Sequence, residues 1–114
     1  MRKLRNFKDT IMEDLKDPQY AQTYLSVALE EYEKDKDVSS FLTALRDVTE
    51  AMGGIAKLAE KTHLNRQSLY KSLSSKGDPR LNTVEAVLHG LGYRLCVVPL
   101  NEAPLHSSRY NSPH

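Results

Sequence analysis

Between residues 66 and 71 the sequence reads Arg-Gln-Ser-Leu-Tyr-Lys, and every side chain there except the leucine carries a group that nucleic acid recognises. An arginine fork pairs at two points with guanine, and a glutamine amide does so with adenine. Arg66 and Gln67 are therefore expected to read base edges. Tyr70 and Lys71, a turn later, would reach a base or the flanking phosphates, and Ser68 would hold a phosphate through its hydroxyl. Lys57, Lys76 and Arg80 are the matching candidates for phosphate contacts that position the protein without reading sequence.

Such groups act together only if a rigid element presents them. The surrounding residues predict two short helices, roughly 54–62 and 66–75, with a tight joint at Thr62-His63-Leu64-Asn65. Ile55 and Leu58 would anchor the first helix to a core, Leu64 would plug the joint, and Leu69 and Leu73 would anchor the second. Ala59 is small enough for two steeply crossing axes to approach. Asn65 is a strong N-cap residue for the second helix. The joint has His63 where a helix-turn-helix commonly has glycine, and histidine reaches the left-handed region more readily than bulky residues. Spacing, cap and joint thus fit a helix-turn-helix whose second helix enters the major groove of double-stranded DNA. A helical hairpin in any small bundle would share the alanine and the leucine spacing; the basic outer face is what separates the two.

Helical periodicity governs the rest of the chain. Ile11, Met12 and Leu15 suggest a short helix ended at Asp17-Pro18, where Asp17 can cap the next helix and Pro18 can be its first residue. Tyr20, Ala21, Tyr24, Leu25, Ala28, Leu29 and Tyr32 then form a stripe that should face a core, followed by a charged linker to Asp37. A third helix from Val38 or Ser39 would bury Phe41, Leu42, Leu45, Val48 and Met52 and stop at Gly53. A last helix, with Asn82 and Glu85 in capping-box spacing, would bury Val84, Val87, Leu88 and Leu91 and close at Gly90 or Gly92. Tyr93 to Val98 favours a strand stopped by Pro99. A lone strand needs a partner, so Tyr93, Leu95 and Val97 are expected to pair antiparallel with a second copy about a two-fold axis, making a homodimer. Such a dimer would read a palindromic operator with half-sites one helical turn apart.

Composition limits the alternatives. The chain has 114 residues, 39% hydrophobic and 27% charged, with a formal net charge of +1, which suits one globular domain. The charge is divided: residues 54–80 hold six Lys/Arg against two Asp/Glu, and residues 1–37 hold seven against nine. Cys96 is the single cysteine, so an intramolecular disulfide is excluded, and it lacks the surroundings that activate a thiol. His63, His89, His106 and His114 do not fall at metal-ligand spacing. The carboxylates Glu30, Glu31, Glu33 and Asp35 crowd a charged helix end, where solvation is their ordinary state. Gly53-Gly54 lacks the rest of a phosphate-loop pattern. No enzyme activity, cofactor or metal is expected. Neither a membrane span nor a signal peptide is read, since no run approaches about 18 apolar residues; a cytoplasmic protein is the expectation.

A longer pattern runs from about Asp14 to Pro99. It comprises Asp14-Leu15-Lys16-Asp17-Pro18, Tyr24-Leu25-Ser26-Val27-Ala28-Leu29-Glu30-Glu31, Phe41-Leu42-Thr43-Ala44-Leu45-Arg46-Asp47-Val48, Gly53-Gly54-Ile55-Ala56-Lys57-Leu58-Ala59, Ser68-Leu69-Tyr70-Lys71-Ser72-Leu73 and Gly77-Asp78-Pro79-Arg80-Leu81. With these residues the chain resembles the addiction-module antidote family, the HigA-type antitoxins of type II toxin–antitoxin pairs. His63 and the residues after Leu100 lie outside that pattern. The resemblance implies an all-α, five- to six-helix, lambda-repressor-like helix-turn-helix domain. Residues 1–37 would be an N-terminal helical extension and 38–100 the DNA-binding core with its dimerisation strand; 101–114, rich in Ser, Asn, Pro and His, reads from its composition alone as a disordered tail. The resemblance further implies a dimer that neutralises a RelE/ParE-like toxin by direct binding and represses its own operon. The residues alone leave a second reading open, a free-standing repressor without a toxin. Residues 1–37 discriminate the two: Tyr20, Tyr24 and Tyr32 either form part of a protein interface or pack internally with Phe41 and Leu45.

Overall fold

The computed structural model describes residues 7–74 and 76–101. Six helices follow one another: α1 Phe7–Asp14, α2 Pro18–Asp35, α3 Ser39–Ala51, α4 Ile55–Thr62, α5 Arg66–Ser72 and α6 Leu81–Leu91. Among the described residues there is no strand.

Local chemistry sets most boundaries. Asp17 Oδ1 accepts the Gln19 backbone N–H at 3.2 Å, with Pro18 as the first helical residue where its missing N–H costs nothing. Lys36 ends α2 in the left-handed region (φ 61°), its N–H donating to the Tyr32 carbonyl. Asp37 then accepts the Ser39 hydroxyl at 2.6 Å and the Ser39 backbone N–H at 3.0 Å. These bonds, the hydroxyl's first, hold its carboxyl below the usual carboxylate range and fix the entry into α3.

Helix α3 is the centre of the molecule. It buries Phe41, Leu42, Ala44, Leu45, Val48 and Thr49, lies along α2, and also meets α1 and α4. Leu15, Ala21 and Leu25 close one side of the core; Leu58, Leu69, Leu73, Val87, Leu88 and Leu91 complete it. The expected stripe on α2 is split by this packing. Ala21 and Leu25 are buried, Tyr24, Ala28 and Tyr32 half-buried, and Tyr20 and Leu29 exposed. Tyr24 also donates from its hydroxyl to Asp47 Oδ2 at 2.7 Å, tying α2 to α3; burial first and the Asp47 partner second raise its pKa.

Besides α5 ending at Ser72 rather than at about residue 75, three details differ from the sequence-based expectations. Helix α6 starts at Leu81, and its N-cap is Arg80 without a side-chain bond, so Asn82 lies inside the helix and caps nothing. Gly90 is also inside α6, and left-handed Gly92 (φ 101°) closes it. Gly90 serves a close approach of α4: a Cβ there would sit 2.6 Å from Leu58 Cδ1 and 2.9 Å from Thr62 Cγ2. Third, Tyr93 to Val98 lies outside any helix or strand. A strand exists only through a ladder, and the described residues offer this segment no second strand. Tyr93 instead turns back on the chain, its N–H donating to the Leu88 carbonyl and its hydroxyl to the Pro18 carbonyl, at 2.8 and 2.7 Å. The tail expected after Leu100 lies, from residue 102 on, outside the described residues.

Candidate nucleic-acid interface

Helices α4 and α5 pack on each other and are joined by residues 63–65. His63 takes the left-handed conformation the joint demands (φ 61°, ψ 23°). Thr62 locks the same corner: its hydroxyl donates to the Leu58 carbonyl at 2.8 Å and accepts the Leu64 N–H at 3.3 Å. Asn65 caps α5, its Oδ1 accepting the Ser68 N–H at 3.1 Å. Residue type singles out Asn65 and His63 in this joint; the locking role of Thr62 has its signal in a hydroxyl residue at the last helical position.

Helix α5 sits on the core through Leu69, with Leu73 at its C-cap; both are buried. A step of about 100° per residue places Arg66, Tyr70, Gln67, Lys71 and Ser68, in that order, around an arc of roughly 200°. All five are exposed, Tyr70 by 58%. An apolar anchor on one side and donor groups on the other is what a short reading helix requires.

The end of α5 is held from two directions. Arg46 Nη1 on α3 donates to the Leu73 carbonyl at 3.2 Å. The following segment folds back: the Ser74 hydroxyl donates to the Lys71 carbonyl at 3.0 Å, and the Gly77 N–H to the Ser74 carbonyl at 2.8 Å. Gly77 lies so close to the Ser72 and Lys71 carbonyls that a Cβ there would collide with backbone. This fold-back brings Lys76 beside the end of α5, while Arg80 caps α6 a few residues on; both are exposed. Lys57 is exposed on α4, its aliphatic stem lying over Gly53. Among the described residues none of Lys57, Arg66, Lys71, Lys76 and Arg80 is paired with a carboxylate. Unpaired cations around a helix with exposed donors make a surface suited to a polyanion.

The other nominated residues are placed apart from this face. Tyr93 is half-buried against Pro18, with burial first and nearby Asp17 second raising its pKa, and Leu95 and Val97 are exposed. Cys96 is exposed and free. Among the described residues no cluster of His, Cys, Asp or Glu could hold a metal ion, and no helix is long and apolar enough to cross a membrane.

A family model described as "Probable addiction module antidote protein" matches residues 3–99. No curated protein and no solved structure matches the chain.

Proposed function

This chain belongs to the probable addiction module antidote protein family, and from that premise we propose that it is a HigA-type antitoxin with two binding activities. It neutralises a RelE/ParE-like toxin by direct contact, and it represses its own operon through α4 and α5 acting as a helix-turn-helix. The family is defined by an antidote role rather than by catalysis, and an antidote has a toxin as its partner.

The observation that carries the DNA half is the exposed row on α5. Arg66 and Gln67 are offered to base edges, where each two-point pair discriminates by roughly 1–3 kcal/mol. Tyr70 and Lys71 follow a turn later, and Ser68, Lys57, Lys76 and Arg80 contact phosphates. Two copies related by a two-fold axis would present their α5 helices about 34 Å apart, in successive major grooves of an inverted repeat. Leu95 and Val97, exposed after α6, supply the strand for that dimer with Tyr93 at its root, and a second copy provides the ladder.

The test is a titration of promoter DNA from the protein's own operon. Arg66→Ala and Gln67→Ala are expected to relax the preference for operator over random duplex. Lys76→Ala should weaken both alike and lessen the salt dependence. An operator preference unchanged in Arg66→Ala contradicts the assignment.

A further inference from the structure

We infer that the toxin docks in the groove between α2 and α3, through an amphipathic segment carrying apolar side chains followed by basic ones; this rests on the antitoxin reading and assigns its second surface.

The groove encloses about 360 Å³ and is lined chiefly by Tyr20, Tyr24, Val27, Ala28, Thr43 and Ala44. Its floor is made of small residues, Ala28 and buried Ala44, so the two helices leave a trough that larger side chains would have filled. Its rim is apolar and open: Tyr20 is 40% and Val27 41% exposed. One wall is fixed, because the Tyr24 hydroxyl is held by Asp47 at 2.7 Å. A pre-formed apolar trough between two helices is the form that receives the apolar face of a helical segment.

Charge decides between occupants. Tyr20, Tyr24, Val27 and Glu31 share one face of α2 by helical spacing, so the apolar rim runs directly into an exposed carboxylate. The exposed Lys34 ion pair to Glu31, at 3.9 Å, is weak enough to exchange for a partner's cation. Helix α2, which forms one side of the groove, carries the carboxylates Glu30, Glu31, Glu33 and Asp35 against the single lysine Lys34, in contrast to the basic 54–80 stretch. DNA is repelled from such a surface, and a second copy docking by the same face would bring two acidic surfaces together. A cationic protein segment is attracted to it. The molecule then has two separate faces, one anionic for protein and one cationic for DNA.

The experiment uses the full chain with the product of the open reading frame adjacent to its gene. Wild type, Val27→Arg, Tyr20→Ala and Glu31→Lys are compared for affinity to that product, rescue of growth, operator binding, melting temperature and oligomeric state. Val27→Arg is expected to weaken the protein complex by roughly thirtyfold or more, and Tyr20→Ala in the same direction. Glu31→Lys should slow association most at low salt. Operator binding and melting temperature should stay at wild-type values. Wild-type affinity in both Val27→Arg and Tyr20→Ala overturns the inference while leaving the antitoxin reading intact. So does conversion of a dimer to a monomer by Val27→Arg, which would make the groove a self-interface. Failure of the wild type itself to bind the adjacent product sinks the antitoxin reading, and this inference with it.

Discussion

Replacing Asn65 by alanine removes one hydrogen bond, the 3.1 Å contact from Ser68 N–H to Oδ1, and no buried surface, since Asn65 is exposed. The cost is therefore that of a lost N-cap, about 1 kcal/mol within a range of 0.5–2. For a chain of this size that corresponds to a melting temperature lower by roughly 4 °C. The same reasoning ranks other substitutions. Asn65→Gly should cost only about a few tenths of a kcal/mol, and Asn65→Asp nothing, because aspartate caps equally well and suits the positive end of a helix. The two properties then part in Asn65→Asp. It places a full negative charge at the start of the proposed reading helix, so operator affinity should fall while the melting temperature holds. Thermal denaturation by circular dichroism and fluorescence anisotropy on operator DNA measure the two. An Asn65→Ala protein melting like the wild type, or an Asn65→Asp protein binding DNA like it, would refute the reasoning.

Three further outcomes follow from the packing and the charges. Gly77→Ala sets a methyl group against the Ser72 and Lys71 carbonyls, backbone atoms that cannot step aside, so calorimetry should show a loss of about 1–3 kcal/mol. Thr49→Val should stabilise the protein by about 1 kcal/mol in chemical denaturation, because the buried Thr49 hydroxyl has no hydrogen-bond partner among the described residues and valine keeps the shape without it. The Asp37 carboxyl lies below its ordinary range, so its contribution is present at neutral pH and lost as pH falls through that lowered value. The melting difference between wild type and Asp37→Ala should therefore be full at pH 7 and vanish in strong acid.

The legible parts of this fold are those that local chemistry decides. Asp17 with Pro18, Asn65, the left-handed His63 and the leucines of α4 and α5 all act within one or two turns of themselves, and the structure places them where the sequence puts them. Features that depend on a distant element are less legible. Asn82 looks like a cap because of Glu85, yet α6 begins one residue earlier, at Leu81, which shares the helical spacing of Val84, Leu88 and Leu91 although it is largely exposed. Gly90 resembles a helix end, but the requirement it meets comes from Leu58 and Thr62 on another helix. Tyr93 opens a segment with a strand preference that meets no ladder among the described residues, and its hydroxyl donates to the carbonyl of Pro18, far away along the chain. The members of the α5 row were identifiable from residue type and spacing. The segment that folds back beneath them was only partly so, because the close seat of Gly77 on the end of α5 is not a pattern of types.

Chemical-shift mapping of the isotope-labelled protein against its own promoter duplex is the most direct test of the proposed reading face. Perturbations are expected to concentrate on Arg66 through Lys71, with lesser shifts at Lys57, Lys76 and Arg80, while Tyr20, Val27 and Thr43 remain still. Shifts centred on α2 and α3 with α5 unmoved would contradict the account.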